Sequence, residues 1–77
     1  MKELVEVIAK ALVDHPEEVM VVQKEEEDGT IVLELNVAKD DMGKVIGKKG
    51  RIAKSIRTVV KTVAMKEDKK VVVDIVE

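Results

Sequence analysis

The chain has 77 residues, with 14 Lys and Arg against 16 Asp and Glu, 45% apolar and 39% charged. That length holds one domain over residues 1–77; the composition is too apolar for a disordered chain and too charged for a membrane one, and no run approaches the roughly 18 apolar residues of a spanning helix. There is no Cys, one His, and no Phe, Tyr or Trp. This sets aside disulfide scaffolds, Cys and His-pair metal sites, most Ser-His or Cys-His chemistry within one chain, and base stacking on aromatic rings.

A small domain without disulfides reads as cytoplasmic. Met1-Lys2-Glu3-Leu4 alternates charge with apolar residues and does not read as a signal peptide. A core of Val, Ile, Leu and Met in so short a chain supplies only a few kcal/mol. A dimer would help it, although length alone does not establish one.

Residues 2–14 read as a helix. Leu4, Ile8, Ala11 and Leu12 follow the i, i+4, i+7, i+8 pattern with Val5 and Ala9 beside them, and Pro16 ends it. Two strands follow, residues 19–26 and 30–37. In the second, Ile31, Leu33, Leu35 and Val37 share one face, and Asp28-Gly29 between the strands predicts a hairpin. Asp40 or Asp41 caps a short helix to about Ile46. Gly47-Lys48-Lys49-Gly50 breaks the chain, and from Arg51 a further helix runs to about Met65. Ile52, Ile56, Val59, Val60 and Val63 form its apolar stripe, while Arg51, Lys54, Arg57 and Lys61 fill a separate basic sector. Residues 71–76 form the last strand. The order is α-β-β-α-α-β, an α+β domain.

The near-neutral total hides an uneven distribution. Residues 1–29 carry a net charge of −6 and residues 39–61 carry +6. Local potential, not total charge, attracts a polyanion. A basic middle of this kind reads either as such a site or as a solvated helix face.

The informative stretch is Val45-Ile46-Gly47-Lys48-Lys49-Gly50-Arg51-Ile52. Glycines 47 and 50 permit unusual backbone conformations and let a ligand backbone come close. Lys48 and Lys49 place two charges at the tip, and the start of the next helix favours phosphate at the same spot. The spacing is not that of a Walker A loop, and neither the glycines nor a preceding strand match a dinucleotide fingerprint.

This stretch resembles the GXXG segment of the KH domain, with Val-Ile before the loop, Ile two residues after it and a helix on each side. The element order is that of the prokaryotic (type II) arrangement. The resemblance covers the whole chain and is closest to the short stand-alone bacterial KH proteins of the KhpA-like kind. It implies a three-stranded sheet covered on one face by three helices, and an RNA-binding protein acting as an RNA chaperone or post-transcriptional regulator.

By that resemblance Gly47, Lys48, Lys49 and Gly50 clamp the backbone of about four unpaired nucleotides. Val45, Ile46 and Ile52 help form an apolar groove floor. Val37 and Ala38, at the end of a strand, form the other wall, and Arg51, Lys54 and Arg57 reach phosphates or base edges. The partners it implies are single-stranded RNA, a second copy, and a larger KH-containing protein of the KhpB (Jag or EloR) kind, with links to cell division and shape. The residues themselves leave RNA against single-stranded DNA open.

Two other classes are weighed against this. A protein-interaction module would use exposed apolar positions such as Val72 and Val76, which strand alternation sets opposite Val71, Val73 and Ile75. An enzyme finds no support: there is no nucleophile-base pair, no metal cluster and no cofactor fingerprint, and Ser55 has no His near it in sequence.

Overall fold

A computed structural model describes residues 1–76, with Lys48 described for its backbone alone. Three strands form one sheet in the order β1-β2-β3, with β1 Met20–Glu25, β2 Ile31–Asn36 and β3 Val71–Val76. β1 pairs antiparallel with β2, and β3 pairs parallel with it, so β2 is the central strand. The hairpin forms where Asp28-Gly29 predicts it. Gly29 takes φ +90° and donates its amide to the Glu26 carbonyl at 2.9 Å. Asp28 accepts the Thr30 amide at 2.9 Å. The Thr30 backbone and then side-chain hydrogen bonds hold the Asp28 carboxyl below its ordinary value of 3.8.

α1, Lys2–Leu12, lies against the sheet and ends two residues earlier than the periodicity predicts, with Val13 already extended. Its buried residues are Val5 and Ala9, not the row of Leu4, Ile8, Ala11 and Leu12, and Leu12 is exposed. The apolar band on this helix is wide enough that periodicity alone cannot say which edge of it faces the core. Pro16 does not simply stop the chain. It opens a short 3-10 turn, Pro16–Glu18, where its missing N–H has no partner to lose.

The span Lys39–Lys66, α2, is helical throughout, yet it is not one rod. A straight helix of that length would run about 42 Å, and the longest dimension of the molecule is 34 Å. The break lies at Lys49 and Gly50, whose φ values of +63° and +69° cannot continue a right-handed helix. Two limbs result, one on each side, and with them the order is α-β-β-α-α-β.

The core joins these pieces on one face of the sheet. Val5 and Ala9 of α1 meet Ile56 and Val60 of the second limb over Val21, Leu33, Leu35 and Val73. Val45 and Ala53, one from each limb, pack with Val13 in a second cluster. The other sheet face is open, and carries Met20, Val22, Val72 and Val76 as exposed apolar residues. The alternation expected in β3 holds: Val73 is buried, Val72 and Val76 exposed.

Asp41 does not cap its own helix. No side chain caps α2; the amides of Asp41 and Met42 donate to the Ala38 carbonyl. The Asp41 carboxylate is buried, 1% exposed, and accepts the amides of Asp14 and His15 at 3.0 Å each. It therefore joins the end of α1 to the start of α2, a contact across more than twenty residues of sequence that no local pattern announces.

Candidate nucleic-acid interface

The connection between the limbs of α2 is the site's centre. Of its four residues, Lys49 and Gly50 hold the left-handed backbone, while Gly47 does not need it. A Cβ on Gly47 would meet no atom within 4 Å. Neither conformation nor packing accounts for this glycine, and room beside the helix backbone does. Gly47 lines a cleft of about 250 Å³ with Gly43, Lys44, Arg51 and Ile52.

A groove of about 300 Å³ opens on the other side of the loop, lined by Ile46, Lys49, Gly50, Ala53, Lys54, Arg57 and Ile75. Its apolar floor comes from Ile46, which is 47% exposed although it is a large aliphatic residue. Val45, the neighbour in sequence, is buried with Ala53 and Val13 and supports the loop from below. Ile52 is half-buried against both core clusters.

The wall opposite the loop is Ile75, from β3. This differs from the expectation of Val37 and Ala38. Ala38 is buried and Val37 half-buried against the core. The reason is topological: β2 is the central strand, so its end is screened, whereas β3 is the edge strand beside the second limb of α2. Ile75 was absent from the sequence-based set, because strand order is not legible in a pattern of alternation.

Three lysines are ion-paired, and Lys2, Lys10, Lys39, Lys61, Lys66 and Lys70 have no carboxylate partner among the described residues. Lys24 pairs with Glu34 at 3.2 Å, Lys44 with Asp14 at 3.2 Å and Lys69 with Glu67 at 3.9 Å. Among the described residues no carboxylate pairs with Lys49, Arg51 or Lys54, all three exposed. Arg57 is partly engaged: its Nε donates to the Val73 carbonyl at 3.2 Å, tying the second limb to the free edge of β3. Beyond it a second cleft of about 390 Å³, lined among others by Val60, Ala64, Met65 and Val72, continues along the same helix and strand. Lys61 lies there, away from the loop.

An α-β-β-α-α-β chain with a GXXG turn between its last two helices is what the sequence led one to expect, and comparison with known proteins decides the family. Residues 2–75 match the family described as KhpA/KhpB, KH domain. The chain belongs to the KhpA/KhpB KH-domain family. A KhpA of Clostridium perfringens, named RNA-binding protein KhpA, is 66% identical over 76 residues, covering 99% of this chain and all of that protein. Proteins of the same name from Listeria monocytogenes and Caldanaerobacter subterraneus are 54% and 57% identical, over 100% and 99% of this chain and the whole of each relative. No solved structure matches the chain. The family description and the relatives' names are those of an RNA-binding KH protein and not of an enzyme family. Among the described residues no helix is long and apolar enough to cross a membrane.

Proposed function

We propose that this protein holds short single-stranded RNA in the groove beside its Gly47–Gly50 loop; its KhpA relatives carry the name RNA-binding protein. The observation that carries the reading is Lys49. It sits at the apex of the loop in a strained left-handed conformation, without a carboxylate partner among the described residues, on the rim of a groove with an aliphatic floor. Strain of this kind costs about 1–3 kcal/mol and persists where surrounding structure enforces it, commonly at ligand clamps. Cation and glycine amides suit the sugar-phosphate backbone, and Ile46 and Ile75 offer bases an apolar surface in a chain without aromatic residues. The polar side chains that line the groove, Lys49, Lys54 and Arg57, are all cations suited to phosphate, so sequence preference is weak.

A protein that binds only unpaired RNA shifts RNA away from its paired form by mass action, and in that sense acts as a chaperone, here placed in the cytoplasm. Pairing with a second copy or with a larger KH partner of the KhpB kind uses the open sheet face, where Met20, Val22, Val72 and Val76 stand exposed.

The test is a titration of fluorescent unstructured RNA with wild type and with Lys48→Asp/Lys49→Asp at two salt concentrations, with circular dichroism to verify folding. Wild type binds and weakens as salt rises, because phosphate contacts release counterions. The folded double variant loses at least tenfold in affinity. Equal binding by both proteins would place the RNA elsewhere.

A further inference from the structure

The groove beside the loop is not the only concavity that Lys49 and Lys54 face. Both also line a separate hollow of about 540 Å³ on the outward side of the second limb, with Arg51, Ser55, Thr58 and Val59. These two lysines form the ridge between the hollows. Arg51, Lys54, Ser55 and Thr58 stand at i, i+3, i+4 and i+7, one stripe about 10 Å long down a single helix face. All four are exposed, and among the described residues no carboxylate neutralises the cations. The Ser55 hydroxyl donates to the Arg51 carbonyl at 2.9 Å, which turns its oxygen's lone pairs outward and leaves the guanidinium of Arg51 as the donor into the hollow. Val59, 40% exposed, closes the far end with an aliphatic surface.

We infer that this outer hollow is a second phosphate subsite. On it an RNA strand already held in the groove continues across the Lys49–Lys54 ridge, with Val59 beneath a ribose or base. The inference rests on the RNA-binding reading above and deepens it. The footprint becomes longer than the four nucleotides a groove of this kind takes, and the added part is electrostatic and indifferent to sequence. The chemistry on the page favours nucleic acid over a protein at this face: three cations with no carboxylate partner among the described residues match a chain of phosphates, the outward lone pairs of Ser55 can accept from a ribose hydroxyl, and one exposed valine makes a poor apolar anchor.

The experiment compares fluorescein-labelled oligouridylates of four and eight nucleotides on wild type, Thr58→Glu and Thr58→Lys. Thr58 lines the outer hollow alone, so it separates the two subsites. On wild type the octamer binds more than tenfold tighter than the tetramer, beyond the roughly fivefold gain from its extra registers on one four-nucleotide site. Its salt dependence is also steeper, by about 0.7 in log-log slope for each added phosphate contact. Thr58→Glu loses at least fivefold on the octamer and the steeper slope, Thr58→Lys gains on the octamer, and both bind the tetramer as wild type does. An octamer gain within the register factor, with equal slopes and no effect of Thr58→Glu, overturns the second subsite while leaving the groove intact. If Thr58→Glu alters sedimentation and not octamer affinity, the face is a protein interface and the inference also fails. If neither oligomer binds any of the three proteins, the RNA-binding reading itself has failed.

Discussion

Asp41 carries more of the fold than its place in the sequence suggests. A buried carboxylate that accepts two backbone amides, Asp14 and His15, satisfies donors that would otherwise be left without partners in a partly closed site. Removing it leaves both amides unpaired. Asp41→Ala therefore costs about 2 kcal/mol, read as a lower urea midpoint at unchanged slope. RNA affinity of the folded fraction stays at the wild-type level, since Asp41 lines none of the grooves around the loop. A variant as stable as wild type would show that water replaces the carboxylate at no loss. Sequence reading assigned Asp40 or Asp41 to a helix cap, the commonest use of Asp at a helix start. Its actual partners lie beyond the hairpin, out of reach of any local rule.

The loop between the limbs of α2 is where one element serves two demands. Its left-handed positions are Lys49 and Gly50, of which only the second is a residue suited to that conformation. Gly50→Val should cost about 1–2 kcal/mol, the penalty for a side chain in left-handed backbone. Lys49→Gly should move the other way: it relieves strain of about 1 kcal/mol or more, offset in part by the greater freedom of glycine in the unfolded chain. The expected result is a gain in stability of up to about 1 kcal/mol, with RNA affinity reduced by the lost charge. Urea titration and RNA binding on the same two variants check both. If Lys49→Gly destabilises the fold as Gly50→Val does, Lys49 is not strained. The glycines and lysines of this element were legible in sequence, as was their position between helices. Which of the four takes the unusual backbone was not, because that depends on how each limb is anchored. Val45 and Ala53 pin the two limbs to one small cluster, and the connection must turn between them.

At the scale of the molecule, charge and apolar surface are segregated. The loop and the second limb carry Lys49, Arg51, Lys54 and Lys61, all exposed, while the open sheet face offers Met20, Val22, Val72 and Val76 around the Lys24–Glu34 pair and Asp74. Adjacent carboxylates on that face, Glu34 and Asp74 in register on neighbouring strands, disfavour RNA there. The face suits the protein partner proposed above. Val72→Lys/Val76→Lys should therefore leave RNA binding by the groove in place and weaken association with a second copy, seen in sedimentation as a shift from dimer to monomer at tens of micromolar. A wild-type protein that sediments as a monomer at every concentration overturns self-pairing through this face. A dimer that survives the double substitution places its interface elsewhere.

What the sequence determined by itself was whatever is written in short-range pattern. That includes the element order, the hairpin at Asp28-Gly29, the inward face of β2 and β3, the GXXG turn between two helices and the basic middle of a near-neutral chain. Each follows from a period of two or 3.6 residues, from glycine at a turn, or from a count of charges. Tertiary structure alone decided the rest. It put β3 at the sheet edge, so that Ile75 and not Val37 or Ala38 walls the groove. It chose Val5 and Ala9 as the inward edge of α1, buried Asp41 against a distant backbone, and set Lys49 and Lys54 on a ridge between two hollows. All of these depend on which elements become neighbours in space. That is settled by the joint packing of a small aliphatic core, and no stretch of chain carries it alone.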